Sequence, residues 1–330
     1  MSEAPVNAVE VENLKVRFSG NRTVHAVNDV SFAVREGEVL GLLGESGSGK
    51  SVTLKALMRL LPKRRTTISG KIRVAGEDVV AMGDKQLSAF RGRTVSMIFQ
   101  EPMLALDPVY TIGAQIAESV VRHEGVSNTE ARARALAMLE RVRIPSAKSR
   151  LDAYPHEMSG GMRQRAMIAL ALACRPKVLL ADEPTTALDA TVQIQILLLL
   201  RELQQEFGMS VIFVTHDIGV AVEICDRIAV MYAGEVVENG ALREVVRDPR
   251  HPYAQGLLAS TVHGNPGGEP LQTIQGAPPP LDVAPVACSF APRCDFASDR
   301  CVAAPPPVAE LGPRRMARCI IPAGEHAVPA

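Results

Sequence analysis

A glycine-rich stretch of eight residues (44–51, the phosphate loop) has the composition of a phosphate-binding site. It follows the apolar run Val39–Leu43 and consists of Gly44, Glu45, Ser46, Gly47, Ser48, Gly49, Lys50 and Ser51. Glycines permit a tight turn whose backbone N–H groups point inward, and a helix that follows presents its positive end to an anion. The pattern predicts that Lys50 reaches the β- and γ-phosphates and that Ser51 binds Mg²⁺. A Gly/Ser-rich surface loop is the alternative, which the flanking strand and helix patterns disfavour.

Two adjacent carboxylates, Asp182 and Glu183, end the apolar run Val178–Ala181. In parallel sheets, ligands bind at the carboxyl edge of the strands, where these acids are expected to lie. Asp182 can hold Mg²⁺ through water, and Glu183 is placed to orient or deprotonate an attacking water. Such a pair alone commonly forms a solvated turn, but a phosphate loop upstream favours the catalytic interpretation.

Three further polar features follow in a fixed order along the chain. Gln100 ends the run Val95–Phe99, and His216 follows the buried run Val211–Val214. Between them, Ser159, Gly160, Gly161, Met162, Arg163 and Gln164 open the helical run Arg163–Cys174. Taken singly, these are a polar strand end, a core histidine and a helix cap. Their order together with the phosphate loop and the acid pair makes coincidence untenable.

The elements that must position these side chains form an α/β pattern before residue 265. Alternating runs predict half-exposed strands or ribbon at Val9–Phe18, Val30–Val34 and Ile68–Val74. Short apolar runs predict buried parallel strands at Val39–Leu43, Val178–Ala181 and Val211–Val214. Helices are predicted at Thr129–Val142 and Thr191–Phe207. Residues 101 to 158 have no strand pattern, which predicts an inserted helical subdomain.

In this order, the motifs resemble the ATP-binding subunits of ABC transporters over residues 8 to about 264 (8–264). The resemblance implies an α/β fold, namely a P-loop NTPase cassette with a RecA-like core, an antiparallel β-subdomain and a helical subdomain at about 101–158. It also implies ATP and Mg²⁺ as cofactors and ATP hydrolysis as the activity. The usual signature begins with Leu and has Gln fifth, whereas this chain has Met158 and Met162. That departure resembles the oligopeptide branch of the family.

The resemblance assigns roles to single residues. Those implied as catalytic are Glu183, His216 and Gln100, and those implied around Mg²⁺ are Ser51, Gln100 and Asp182. Those implied around the nucleotide, besides the phosphate loop, are Phe18, Val52, Gln100, Asp182 and His216. The signature and the D-loop (Ala187, Leu188 and Asp189) imply contacts in trans to the partner's nucleotide from Ser159, Gly160, Gly161, Met162 and Asp189.

The last 66 residues, 265–330, hold thirteen of the 23 prolines and four of the six cysteines. Such a segment disfavours long helices and has few residues for a core, so it is either a floppy extension or held by something other than hydrophobic burial. Its cysteines are Cys288, Cys294, Cys301 and Cys319, with five, six and seventeen residues between them. Four thiols in a reduced compartment predict a metal or iron–sulfur site, with unrelated buried cysteines as the alternative.

Together with His251-Pro252-Tyr253, this tail is similar to the C-terminal region of dipeptide and oligopeptide importer ATPases. That resemblance implies a 4Fe-4S cluster on the four thiolates, with zinc as the second choice because close Cys-x-x-Cys pairs are absent. Cys174 and Cys225 lie in apolar helical patterns and are predicted to be core residues.

Composition narrows the class of protein. The 36 Lys and Arg balance 36 Asp and Glu, which disfavours a basic nucleic-acid binder, and aromatic residues number only 12. Apolar stretches such as Ala166–Cys174 fall short of the roughly 18–20 residues of a membrane span. The first residues show no basic region leading into an apolar run, so we expect no secretory signal and a cytoplasmic location without structural disulfides.

We therefore expect a peripheral ATPase at the cytoplasmic face of the cell membrane that powers dipeptide or oligopeptide import. The resemblance implies as partners a second homologous ATPase, two transmembrane permeases that dock near residues 100–103, and an extracytoplasmic peptide-binding protein, with no nucleic acid. Import of nickel or glutathione remains an alternative. A soluble, non-transport ABC ATPase is a second one, which a single cassette without a coiled-coil insertion disfavours. Glu183 and His216 argue against a non-hydrolysing module.

Overall fold

The computed structural model describes residues 6–186, 188–260 and 273–320. The chain forms two compact units. Unit 1 comprises Met1–Val9, Val34–Glu38 and Val74–Ile212. Unit 2 comprises Glu10–Ala33, Val39–Arg73 and Phe213–Ala330. The expected boundary between cassette and tail, at residues 264 and 265, lies outside the described residues.

Strands and helices alternate through most of the described chain. The strands are β1 (Asn7–Phe18), β2 (Val24–Arg35), β3 (Val39–Leu43), β4 (Thr66–Val74), β5 (Glu77–Asp78), β6 (Val95–Ile98), β7 (Val178–Asp182), β8 (Ser210–Thr215), β9 (Arg227–Tyr232), β10 (Glu235–Ala241), β11 (Val308–Gly312) and β12 (Arg315–Arg318). The helices are α1 (Lys50–Leu57), α2 (Asp84–Phe90), α3 (Pro102–Ala105), α4 (Ile112–Glu124), α5 (Asn128–Arg141), α6 (Ala147–Arg150), α7 (Gly160–Leu172), α8 (Ala190–Phe207), α9 (Ile218–Ile224), α10 (Leu242–Arg247), α11 (Pro252–Ala259) and α12 (Asp299–Ala303).

Unit 2 is built on a mixed sheet whose strand order is β11-β12-β10-β9-β3. Strand β3 pairs in parallel with β9, from Leu40 opposite Arg227 to Leu43 opposite Val230. All five residues of β3 are buried, which confirms the prediction of a buried parallel strand. A second sheet in this unit contains β2, β1 and β4 in that order.

The C-terminal segment (residues 273–320) adds two strands that the sequence analysis did not anticipate. Strand β12 pairs antiparallel with β10, with Glu238 opposite Ala317, and β11 pairs antiparallel with β12. Ala317 is buried in this pairing. Of the two alternatives raised by the proline content, the described part of the tail follows the second, because backbone pairing to a sheet holds it.

In unit 1, β6 pairs in parallel with β7, from Val95 opposite Val178 to Ile98 opposite Ala181. The residues from 101 to 158 contain helices α3 to α6 and a short 3-10 turn. Their assignment to a separate helical subdomain stays a prediction. Its two longer helices begin at capping hydroxyls, because Thr111 accepts the Ala114 N–H and Ser127 accepts the Glu130 N–H.

Within the described ranges, we find no helix whose length and apolar content would let it cross a lipid bilayer.

Candidate functional site

Three glycines with backbone torsions that other residues rarely adopt shape the phosphate loop in unit 2. Gly44 has a φ of +149°, and a Cβ atom there would lie 2.1 Å from the Met231 carbonyl oxygen. Gly49 has a φ of +101°, and its Cβ would lie 2.6 Å from the Ala26 carbonyl oxygen. Gly47, with a φ of +79°, would meet nothing within 4 Å. Two glycines therefore allow close packing behind the loop, while the third lies on an open side that an anion can approach.

Lys50 is the first residue of α1 and is buried, with its ammonium group folded over the loop. Its Nζ donates to the Gly44 carbonyl oxygen at 2.7 Å and to the Glu45 carbonyl oxygen at 2.9 Å. The next two residues, Ser51 and Val52, are half-buried. The predicted phosphate-binding ammonium thus lies at the helix N-terminus, next to the backbone that would surround a phosphate.

Two residues beyond position 250 hold Glu45 of the phosphate loop. The Glu45 backbone N–H donates to the Tyr253 hydroxyl at 2.8 Å. Its two carboxylate oxygens accept hydrogen bonds from the Arg293 guanidinium at 2.9 and 3.1 Å. This paired carboxylate raises the pKa of Arg293 further above its ordinary value. Sequence reasoning missed both contacts, because nothing in the spacing of these residues links them to the loop.

Aromatic rings pack beside these contacts in unit 2. Tyr232 lies 4.6 Å from Tyr253 and 5.2 Å from Phe290, measured between ring centroids. The ring of His251 lies 5.9 Å from that of Phe290, and its Nδ1 accepts the Tyr253 N–H. The His-Pro-Tyr stretch noted in the sequence therefore begins α11 and places the tyrosine hydroxyl at the phosphate loop.

The four tail cysteines line a single small cavity (the cysteine cavity) of about 10 Å³ in unit 2. Its lining includes Cys288, Cys294, Cys301 and Cys319, together with His251 and Phe290. Burial raises the pKa of the Cys288 thiol, and it raises that of Cys294 to about 11. These thiols are therefore protonated at neutral pH in the absence of a cation. None of the six cysteines, all of which lie in the described residues, forms a disulfide bond, and Cys174 and Cys225 are buried as expected of core residues.

The metal or iron–sulfur site expected at these cysteines stays a prediction. The fold brings the four thiols to one cavity, as the prediction requires. However, among the described residues no group of three or more His, Cys, Asp or Glu side chains is arranged so that it could hold a metal ion. The donor set fits thiolate ligation, whereas the side chains are not drawn together around a common centre.

In unit 1, the acid pair ends β7 as predicted. Asp182 is buried, and Glu183 has a φ of +47°, a left-handed conformation that costs energy for a residue with a side chain. The Glu183 carboxylate accepts hydrogen bonds from the Thr186 hydroxyl at 3.0 Å and from the Gln100 amide at 3.4 Å. The structure therefore brings together Gln100 and Glu183, which the sequence marked separately, and adds Thr186, which it did not mark.

Two further predicted residues of unit 1 cap helices. The Ser159 hydroxyl accepts the Met162 N–H at the start of α7, and the Asp189 carboxylate accepts the Val192 N–H at the start of α8. A Cβ on Gly160 would meet nothing within 4 Å, whereas one on Gly161 would lie 3.1 Å from Val192 Cγ1, so the first turn of α7 is open on the side of Gly160. A helix N-terminus of this kind can bind an anion. Ala187, also part of the predicted D-loop, lies outside the described residues.

The remaining predicted residues lie in unit 2. His216 is exposed and directly follows β8, and Phe18 is half-buried at the end of β1. Both positions are strand ends, as the sequence analysis expected.

Comparisons with known proteins agree with these motifs. A family model described as "ABC transporter" matches residues 27–186. A second model, described as "Oligopeptide/dipeptide transporter, C-terminal region", matches residues 237–301. The second match includes the His-Pro-Tyr stretch and three of the four tail cysteines.

Relatives of similar length exist in Brucella. A protein of Brucella abortus strain 2308, named as a peptide import ATP-binding protein, is 48% identical over 333 residues, which cover 97% of this chain and 98% of the relative. One of Brucella suis biovar 1, named in the same way, is 48% identical over 312 residues, 94% of each chain.

Solved structures show the same architecture. The ATP-binding cassette MJ0796, in a dimeric post-hydrolysis state bound to ADP and Pi, has a TM-score of 0.64 at 32% identity, covering 71% of this chain and 99% of its own. The cbiO1 protein of Clostridium perfringens, part of the ABC transporter complex cbiONQ, has a TM-score of 0.63 at 29% identity, covering 73% and 91%.

Proposed function

The chain belongs to the ATP-binding proteins of ABC transporters, and from this premise we propose that it hydrolyses ATP to power the import of dipeptides or oligopeptides. Its relatives are named for peptide import, and the family model that matches residues 237–301 is that of oligopeptide and dipeptide transporters. The single observation that supports the catalytic part best is the Glu183 carboxylate, held at the end of β7 by Thr186 and Gln100.

We assign the nucleotide-binding roles within this proposal as follows. The phosphate-loop amides and Lys50 would bind the phosphates, and Ser51, Gln100 and Asp182 would bind Mg²⁺. Bound Mg²⁺ neutralises charge that develops on the phosphate oxygens. Glu183 orients and deprotonates the attacking water, and His216 assists at the γ-phosphate. Phe18 stacks on the adenine, and Val52 contacts the nucleotide.

The proposal includes partners. The first turn of α7, capped by Ser159 and open at Gly160, supports a contact in trans to a nucleotide held by a second ATPase subunit, and we place Asp189 at the same contact. Gly160, Gly161 and Met162 belong to the same turn. We propose a heterodimer of two related ATPases on two membrane permeases, at the cytoplasmic face of the membrane, supplied by an extracytoplasmic peptide-binding protein.

Reconstitution tests the transport function. The full chain is assembled in proteoliposomes with the proposed second ATPase and permeases, and uptake of labelled dipeptides, oligopeptides, nickel and glutathione is measured. ATP-dependent peptide uptake is the expected result. Uptake of nickel or glutathione without peptide would assign the chain to one of those importers. ATP hydrolysis that never couples to the permeases would support a non-transport ATPase.

At the cysteine cavity we propose a 4Fe-4S cluster held by Cys288, Cys294, Cys301 and Cys319, with zinc as the alternative. What supports it is the donor set, since four thiols separated widely in sequence line one cavity. Ligation requires that the thiols lose their protons and move toward a common centre, because the raised pKa of Cys294 keeps it neutral otherwise. A bound cluster cross-links the segment and so restricts its unfolded conformations.

Elemental analysis of anaerobically purified full-length protein tests this site. About four irons per chain and broad absorbance near roughly 400 nm are expected for the cluster type proposed. Cys294→Ser is expected to lose the iron and to make the C-terminal segment more sensitive to protease. Cys225→Ala, at a buried cysteine outside the cavity, is the matched control and is expected to retain both. One zinc per chain without iron would assign the four cysteines to a zinc site instead of a cluster. The absence of both metals would refute the proposed metal site.

A further inference from the structure

An acidic side chain lies inside a loop that must bind an anion. Glu45 is the one acidic residue of the phosphate loop and Lys50 its one basic residue, so the loop side chains carry no net charge by themselves. A carboxylate in this position repels phosphate groups, because like charges at short range raise the free energy of the bound state. The loop therefore needs a compensating cation.

Arg293 supplies that cation from the C-terminal segment. Its guanidinium donates to both Glu45 carboxylate oxygens, and its side chain is only 6% exposed. It also donates to the carbonyl oxygens of Gln275 at 2.9 Å and Ile274 at 3.2 Å. These two carbonyl oxygens hold the planar Arg293 guanidinium in one orientation. The ion pair between Arg293 and Glu45 is therefore positioned without any bound ligand.

The backbone of Glu45 is held from the same side. Its N–H donates to the Tyr253 hydroxyl, and the Tyr253 ring packs 4.6 Å from Tyr232 and 5.4 Å from Phe290. Arg293 directly precedes Cys294, so the segment that lines the cysteine cavity also contacts the phosphate loop. Both the charge and the backbone position of Glu45 thus depend on residues more than 200 positions away.

We infer that Arg293 is a positioning residue of the nucleotide site, which neutralises Glu45 and fixes its side chain so that the phosphate loop accepts ATP. The C-terminal segment then contributes a residue to the nucleotide site. With Arg293 counted, the loop and its partner carry a net charge of +1 instead of zero. This inference rests on the proposed function, because it presumes that the loop binds ATP.

The test compares ATP affinities of full-length variants, measured with a fluorescent ATP analogue. Arg293→Ala is expected to bind ATP about tenfold more weakly, the change that loss of a hydrogen-bonded charge partner commonly causes. Glu45→Gln alone is the reference for the double variant, because it removes the carboxylate that needs neutralising and leaves the Arg293 guanidinium in place. The double variant Arg293→Ala/Glu45→Gln is expected to recover most of the affinity. Arg300→Ala, at an exposed arginine of α12, is the control.

Recovery in the double variant separates the electrostatic role from a structural one. If Arg293 only holds the segment in place, the double variant binds ATP as weakly as Arg293→Ala, and the inference is wrong. A loss that is larger for ATP than for ADP supports the inference further, because the repulsion grows with phosphate charge. An equal loss for both nucleotides contradicts it.

Two further variants keep the test decisive. If Arg293→Ala does not fold, Arg293→Lys replaces it, because lysine keeps the positive charge but lacks the two-pronged guanidinium group. Its ATP affinity is expected to be lower than that of the parent. An affinity equal to the parent's would contradict a role for the guanidinium geometry. Lys50→Ala reports on the proposed function itself. If Lys50→Ala weakens ATP binding and Arg293→Ala does not, only the inference fails. If neither has an effect, the proposed nucleotide site fails.

Discussion

The phosphate loop and the C-terminal segment both place potential ligand-binding groups in unit 2, but different kinds of contact hold them. Within the loop, Lys50 donates to the Gly44 carbonyl oxygen and the Ser48 N–H donates to the Glu45 carbonyl oxygen at 3.2 Å. The C-terminal segment is tied to distant parts of the chain, since Arg293 is 248 positions from Glu45. The loop can be recognised from its spacing because its internal hydrogen bonds join neighbours in sequence, even though Tyr253 and Arg293 also hold Glu45. The contacts of the C-terminal segment with distant residues leave no such local pattern in the sequence.

Four substitutions test this contrast, and the largest effect is expected at a short, locally encoded motif. Glu183→Gln is expected to bind ATP but to lose turnover by roughly 10²–10⁴-fold, because a positioned general base contributes about that much. The measurement is ATP hydrolysis by the assembled transporter, with nucleotide binding followed in parallel.

Glu140→Gln, at an exposed acid of α5, is the matched control and is expected to hydrolyse ATP at the parental rate. Parental turnover in Glu183→Gln would show that the carboxylate at the end of β7 is not the base. The local motif would then have been correctly recognised but wrongly assigned.

The second effect concerns the loop itself. Lys50→Ala is expected to weaken ATP binding by about 10- to 100-fold, since it removes a charge-assisted hydrogen bond to phosphate. Its two loop hydrogen bonds, to the carbonyl oxygens of Gly44 and Glu45, are lost as well. Lys55→Ala, one turn further along α1, is the control. Equal affinities in a filter-binding assay would remove Lys50 from the phosphate site.

The sequence predicted the short motifs well because each is nearly self-contained. The glycine positions in the loop and the acids after β7 required only that a strand end where the apolar run ended. The structure adds that Gln100 and Glu183 meet, a contact that the two separate strand-end predictions did not include. The roles of these residues in ATP binding and hydrolysis stay predictions.

The tail was predicted less well, for a physical reason. Strands β11 and β12 are short, and β12 is stabilised by pairing with β10, which its own sequence does not announce. Arg293 resembles any surface arginine in sequence, and only the fold makes it buried and paired with Glu45. Cysteine spacing indicated a shared site, and the fold does bring the four thiols to one cavity.

The third test concerns a buried acid, Glu238, whose hydrogen bonds join residues that are distant from it in sequence. The Glu238 carboxylate on β10 accepts hydrogen bonds from the backbone N–H groups of Arg250 and His251. His251 is the first residue of the His-Pro-Tyr stretch, and Arg250 directly precedes it. Burial raises the pKa of Glu238 to about 7 from an ordinary 4.5, although these hydrogen bonds and the charge of Arg315 act to lower it. The folded state therefore favours the protonated acid.

The raised pKa of Glu238 determines how the free energy of unfolding changes with pH. Below pH 4.5, Glu238 is protonated in both the folded and the unfolded chain, and its contribution to stability is fully present. Between pH 4.5 and 7 the unfolded chain loses the proton first, so that the free energy of unfolding falls, and above pH 7 the loss is complete. In the parent, this loss of unfolding free energy is on the order of 3 kcal/mol, and Glu238→Gln is expected to remove it.

Chemical unfolding at several pH values measures this effect. Glu244→Gln, at an exposed acid of α10, is the control and is expected to leave the pH profile of the parent unchanged. An unchanged profile in Glu238→Gln would mean that the pKa of this carboxyl is the same in the folded and the unfolded chain, because the backbone N–H groups would then offset the effect of burial.

The smallest effect returns to a local motif, where stability and function can be separated at one atom. The Ser159 hydroxyl caps α7 by accepting the Met162 N–H, and Ser159→Ala is expected to cost about 1 kcal/mol of stability. Ser159→Asp keeps a cap and is expected to retain stability, yet it places a negative charge where the proposal puts the partner's phosphate. Chemical unfolding should therefore rank Asp above Ala, and ATP hydrolysis in the assembled transporter should rank Ala above Asp. If the two measurements give the same ranking, the first turn of α7 is only a helix cap, and the anion site assigned to it in trans is wrong.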